Sequence, residues 1–251
     1  MRVLVCIKRV PAPGARIVLT EDGRAIDTRL LSFAISPHEE CAVEEAVSIA
    51  EARDGRVTVL TLGPPEAEEQ LRSALAVGAH EAVLIPTDGS DWDPISTASA
   101  ITSAVEDLES QGRFDLILFG NESADSGGYQ VGIRVARALG RPVVSGIKAI
   151  EVEGDTVRLR RETAVGSEIY ALPLPAVLAV KEGINLPRYP TLKGRLNAKK
   201  VEVQQFAKER SGSGQEMVRL ITPPQEVKET TILDDATAVV DLLEELQVVR
   251  S

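Results

Sequence analysis

The sequence predicts an α/β fold with an open, mostly parallel sheet and helices on both faces. Three observations predict it. Short β-branched runs of the kind buried on both faces of a parallel sheet alternate with helical patterns. Glycine and proline mark most of the junctions between them. At 251 residues, 43% hydrophobic and 26% charged, the chain is long enough to bury a core without disulfides or a structural metal.

Val3 to Ile7 reads as a first buried strand, left at Pro11 and Pro13. Ile17 to Thr20, the Asp22-Gly23 turn and Ala25 to Asp27 predict a small hairpin outside the main sheet. Ser36-Pro37-His38-Glu39 combines a Ser N-cap, Pro at the first helical position and an acidic residue three positions on. The helix it opens carries Ala42, Val43, Ala46, Val47 and Ala50 at helical spacing, and Gly55 is read as its C-terminal cap. Val57 to Leu62 is a second strand, followed by a helix after Gly63-Pro64-Pro65 that ends at Gly78. A third strand spans Ala82 to Ile85, and Asp93-Pro94 caps a helix that ends at Gly112. Leu116 to Phe119 is a fourth strand, and a helix from Val131 stops at Gly140. After Pro142 the pattern turns extended, with Ile147 to Val152, Val157 to Arg161 and Ile169 to Leu172 as antiparallel additions. The strands Pro175 to Val180 and Val201 to Val203 follow, separated by an irregular stretch from Gly183. The segment from Ala207 reads as a linker, and Asp234 to Val248 as an amphipathic helix lying either on its own domain or in a partner's groove. Two units are expected: an α/β domain over 1–206 and a C-terminal arm over 207–251.

Composition narrows the chemistry. A net charge of −10, from 28 basic and 38 acidic residues, argues against a nucleic-acid binder. Cys6 and Cys41 stand alone without a CxxC, so neither zinc nor dithiol chemistry has its signature. The opening MRVLVCIKRV is too short in apolar residues for a signal peptide, and no stretch reaches the roughly 20 needed for a span. No membrane insertion and a cytoplasmic location are expected. Only His38 and His80 are near-neutral proton shuttles; His38 is expected to be a neutral hydrogen-bonding residue and His80 a solvated loop residue. The expectation is therefore no acid–base enzyme. What remains is the loop Gly120-Asn121-Glu122-Ser123-Ala124-Asp125-Ser126-Gly127-Gly128, continuing through Tyr129 and Gln130 into the helix at Val131. Its small residues admit a ligand to the backbone, and free N–H groups near a helix start favour a phosphate. In an open α/β sheet, ligands bind beyond the carboxyl ends of strands, where this loop falls. Asp125 would repel a phosphate and suits a ribose hydroxyl or a backbone cap, leaving Ser123, Ser126 and Gly127 to the phosphate. The plainer alternative is a loop whose Asp and Ser only cap the helix.

These residues resemble the β subunit of electron transfer flavoproteins. The resemblance is collinear from Val3 to about Val203. It is carried by VLVCIKRVP, SPHEECAVEEAV, LTLGPPEAEEQLRSALAVGA, DLILFGNESAD with QVG following, and LPAVLAVKEGINLPRYPTLKGRLNAKK. It implies an adenine-nucleotide-binding fold of the adenine nucleotide alpha hydrolase-like type, paired as a heterodimer with a larger α subunit that holds most of the FAD. It also implies an AMP site at Cys6, Ser36, Pro37, His38, Glu39, Leu62 and Gly120 to Val131. The stretch containing Thr191, Leu192, Lys193 and Arg195 resembles the family's recognition loop, in which a leucine docks acyl-CoA or other dehydrogenases. Lys193, Arg195, Lys199 and Lys200 either steer acidic partners or form a solvated basic helix face. Electrons would then pass through FAD to a quinone oxidoreductase or another acceptor, and the final helix resembles the arm that wraps the α subunit. There are departures: Thr163 to Glu168 replace the usual acidic residue and two glycines, Ala12 and Pro13 replace acidic and Pro or aromatic residues, and the GNESAD loop differs from the common form. Two alternatives stay open: an electron-bifurcating subunit with a second FAD in this site, and a stand-alone nucleotide sensor of the universal-stress type.

Overall fold

The structure is a computed structural model that describes residues 1–212, 214–224, 230 and 232–249. Its frame is a nine-stranded sheet in the order β11-β5-β4-β1-β6-β10-β7-β8-β9. In chain order these are β1 (Arg2–Ile7), β4 (Arg56–Gly63), β5 (Glu81–Pro86), β6 (Leu116–Gly120), β7 (Val143–Glu153), β8 (Thr156–Thr163), β9 (Gly166–Pro173), β10 (Ala176–Val180) and β11 (Val203–Gln205). The first seven in spatial order pair in parallel, and β8 and β9 extend the sheet antiparallel from β7.

Strict alternation in the central strands explains why both faces need covering. Val3, Val5 and Ile7 of β1 enter one hydrophobic cluster, while Leu4 and Cys6 enter the other. β6 divides in the same way, with Leu116 and Leu118 on one side and Ile117 and Phe119 on the other. Helices α1 (Pro37–Ala52), α2 (Glu68–Val77) and α5 (Leu192–Ala198) supply the first cluster; α3 (Pro94–Leu108) and α4 (Val131–Ala138) supply the second. An α/β sheet covered on both faces is thus what the chain forms, as its patterning predicts.

Several local expectations are corrected. The hairpin over 17–27 reduces to a single bridge, Leu19 to Ile26. A two-stranded antiparallel ribbon forms beside it instead, from β2 (Arg9–Pro11) and β3 (Phe33–Ile35). Its apolar residues are too few to signal a strand without each other. α1 is left through Asp54, which takes the left-handed conformation (φ 47°), rather than through a cap at Gly55. Gly55 is needed for close approach, since a Cβ there would lie 2.6 Å from the Met1 carbonyl oxygen. Ser36 precedes α1 without a side-chain cap bond. β7 starts four residues before Ile147, because Val143 and Val144 pair in parallel with β10 before the strand turns antiparallel to β8. Gly146, at φ 74°, permits the bend between the two regimes. The last strand runs Val203–Gln205 rather than 201–203.

The segment read as a linker lies along α3: Ser96 Oγ donates to the Ser211 carbonyl at 2.9 Å, and Lys208 Nζ pairs with Asp107 at 2.5 Å. Residue 213 of that linker, and residues 225–229, 231, 250 and 251 of the arm, lie outside the described residues. The final helix, α6 (Ala236–Glu245), buries none of its residues; Val239, Val240 and Leu242 are 42%, 50% and 39% exposed. No described helix is long and apolar enough to cross a membrane.

Candidate functional site

The sheet order sets the place of the site. From β1 the chain builds β4 and β5 on one side and returns to place β6 on the other, so the carboxyl ends of β1 and β6 flank the reversal of strand order. In open α/β sheets this crevice is where ligands bind. Cys6 pairs with Phe119 across it, and Leu62 lies one residue before the end of the neighbouring β4 on the same edge.

Gly120 brings the start of α1 into the crevice. A Cβ at this position would lie 2.6 Å from Glu39 Cγ and 3.2 Å from both the Glu39 nitrogen and His38 Cβ, so only glycine lets β6 and α1 approach so closely. The residues predicted from α1 and from the loop are thereby brought together. Asn121 N–H donates to the Val180 carbonyl at 2.7 Å, tying the loop to β10. His38 Nδ1 accepts the Glu182 N–H at 2.9 Å, which leaves its proton on Nε2, 3.4 Å from Glu122 Oε1. Ser36 Oγ stands 3.5 Å from the Glu122 carbonyl. His38 thus bridges the loops after β6 and β10. His80 is exposed, yet it is not merely solvated: its Nδ1 accepts the Val57 N–H at 3.1 Å.

Glu39 lies in the floor, 7% exposed, with Oε2 accepting the Lys8 N–H at 2.6 Å. Burial pushes its carboxyl up to about 8, against the pull of the Lys8 N–H and ammonium and with a further push from Asp125. The thiol of Cys6 beside it is likewise held above its usual range, by burial and then by Glu39. Lys8 Nζ reaches across to Asp125 Oδ2 at 2.5 Å, and Asp125 Oδ1 accepts the Ser126 N–H at 2.7 Å. Burial favours a protonated Asp125, but the Lys8 charge and these hydrogen bonds prevail and hold it below the ordinary range.

The rest of the loop is a tight turn. Ser123 and Ser126 hydroxyls are 3.0 Å apart, and Gly127 N–H donates to the Ser123 carbonyl at 3.0 Å. Gly127 and Tyr129 both have φ of 53°, left-handed for a tyrosine at a cost of roughly 1–2 kcal/mol. A Cβ at Gly128 would meet nothing within 4 Å, so backbone here is open to a ligand. Ala124 lies within the turn. Gln130 accepts from Arg134, and the helix proper begins at Val131, three residues beyond the glycines.

The residues of the second predicted site do not join the crevice chain. Thr191 caps α5, its Oγ1 accepting the Gly194 N–H at 3.0 Å, and Leu192 is 76% exposed with Lys193 and Arg195 beside it. Gly194 seats α5 on the end of α2, where a Cβ would lie 2.3 Å from the Ala76 carbonyl oxygen. The irregular stretch before it is clamped to α1 by Arg188, which reaches Glu44 at 2.9 Å and Glu51 at 2.7 Å. Sequence reasoning missed Lys8 and Arg188. A lysine immediately after a buried central strand was a usable signal for the first. Nothing local announces the second, whose partners are more than 130 residues away.

Comparison with known proteins meets this geometry. The electron transfer flavoprotein domain family matches residues 26–211. An electron transfer flavoprotein subunit beta from Thermoanaerobacterium thermosaccharolyticum is 35% identical over 79% of this chain and 75% of its own. One from Mycobacterium bovis is 37% identical over 80% and 77%, and one from Syntrophomonas wolfei 33% identical over 94% and 91%. A doubly covered parallel sheet, a close approach of α1 to β6 at its reversal point and similarity along most of the length lead to one statement: the chain belongs to the electron transfer flavoprotein family, among its β subunits.

Proposed function

We propose that this chain is the β subunit of a heterodimeric electron transfer flavoprotein. It accepts electrons from dehydrogenases, with acyl-CoA dehydrogenases the leading class, through an FAD shared with an α subunit, and delivers them to a quinone oxidoreductase or another acceptor. The chain acts as a carrier subunit rather than an acid–base enzyme, in the cytoplasm. The observation that carries the reading is the close approach of α1 to the end of β6 at Gly120, which gathers the predicted residues at the reversal of strand order, in a chain of this family.

FAD supplies the electron-transfer chemistry when bound. The residues here fit an adenylate: open backbone at Gly128, hydroxyls at Ser123 and Ser126, and a cation at Lys8. Ala12 and Pro13 offer the flavin ring neither an aromatic face nor a charge, which supports a flavin held mostly by the α subunit, as the family resemblance implies. AMP in the crevice would then stabilise this subunit while Leu192 anchors the dehydrogenase. An exposed aliphatic anchor such as Leu192, with Leu196 exposed one turn away, suits a contact that must release quickly. The unburied apolar side of α6 supports its role as an arm on the α subunit.

The test is to purify the full chain with its partner, heat it and identify the released nucleotides by mass spectrometry. AMP together with one FAD per heterodimer is the expected result. Two FAD and no AMP would assign the crevice to a second flavin and a bifurcating role; ATP, with no co-purifying α subunit, would make the chain a nucleotide sensor.

A further inference from the structure

Lys8 is the first residue beyond the central strand, so its side chain leaves the sheet at the head of the crevice. It is engaged at both ends. Its backbone N–H donates to Glu39 Oε2 at 2.6 Å, and its ammonium lies 2.5 Å from Asp125 Oδ2, on the loop that closes the other side. Neither side chain is sealed away: they are 39% and 27% exposed. Asp125 is fixed a second time by the Ser126 N–H. Glu39 lies beneath, Glu122 faces His38, whose Nδ1 is an acceptor, and Arg134, farther along in α4, is bonded to Gln130.

A phosphate entering here therefore meets a cation already matched to a carboxylate of the same loop, and that carboxylate is itself a like charge to the phosphate. Opposite charges at hydrogen-bond distance attract, and the two anions repel over the same short range. We propose that Lys8 is the phosphate-selecting residue of the crevice and that Asp125 is its internal competitor. A nucleotide's phosphate gains the lysine only by taking it from Asp125, so the pair sets how strongly a charged nucleotide is preferred over its neutral nucleoside. This inference rests on the crevice being an adenine-nucleotide site. It departs from giving Asp125 a ribose hydroxyl, since the carboxylate is committed to Lys8 and the Ser126 amide.

The experiment titrates the full chain with AMP and, separately, with adenosine, and converts the rise in melting temperature into dissociation constants. Asp125→Asn is expected to tighten AMP about tenfold and to leave adenosine unchanged. Lys8→Met is expected to weaken AMP tenfold or more, again without effect on adenosine, and Lys8→Arg to recover most of the loss. Should Lys8→Met not fold, Lys8→Arg and Asp125→Asn still decide the matter. An Asp125→Asn variant that binds AMP and adenosine more weakly would make Asp125 a ribose ligand and overturn the proposal. So would AMP affinity that ignores either substitution. A wild-type chain that responds to neither AMP nor adenosine would instead reject the nucleotide site itself, whatever the variants do.

Discussion

Glu39 shows how one side chain can join site and stability. Its carboxyl is pushed up to about 8 from an ordinary 4.5, chiefly by burial, so the folded chain holds a proton there that the unfolded chain has already lost. The stability this group permits is complete below pH 4.5 and is lost as pH rises toward about 8. The sign is opposite to that of Asp125 and Glu44, which are held low and act only at more acid pH. Denaturant unfolding at pH 5 and pH 8 should therefore show the wild type weaker at pH 8, by on the order of a few kcal/mol. Glu39→Gln, which keeps an acceptor for the Lys8 N–H, should shrink that difference. It should not abolish it, because burial also raises Glu40 and Glu45. An unaltered pH slope in the variant would mean that Glu39 is ionised in the folded chain.

Among the elements, α5 owes its exposure to its neighbours. Gly194 seats it on α2, the Thr191 hydroxyl caps it, and Ala198 is its buried contact with the core. Leu192 and Leu196, one helical turn apart, are left 76% and 53% exposed. Since Leu192 supports no core, Leu192→Ala should slow reduction by a partner dehydrogenase about tenfold or more while flavin content and melting temperature stay unchanged. Loss of flavin instead would assign Leu192 to the subunit interface. How much was readable differs from element to element. The strands β1, β4 and β6 and the helices α1 to α3 declare themselves, because each is long enough for burial on a fixed period to show in the sequence. The ribbon of β2 and β3 does not: three residues carry no period, and its two halves are joined only by pairing. β7 was half visible, since one strand that is parallel at its start and antiparallel at its end has no single pattern.

For the molecule as a whole, a ligand that binds only the folded state raises its stability by mass action, by about 2.7 kcal/mol at a hundredfold excess over the dissociation constant. Saturating AMP or FAD should therefore raise the melting temperature of the full chain by several degrees, and an unmoved midpoint with both would reject the crevice as a nucleotide site. The crevice joins residues from 6 to 131 of the chain, and the clamp at Arg188 adds partners more than 130 residues distant. By itself the sequence determined the covered parallel sheet, the loop of glycine and serine at its edge, and the likeness to a flavoprotein family, because burial periods and turn residues are local properties. Only the tertiary structure decided that Lys8 faces Asp125, that Glu39 sits beneath both, and that Arg188 holds the segment before α5 to α1. Each of these depends on which strands the crossovers make neighbours, and no local pattern carries that information.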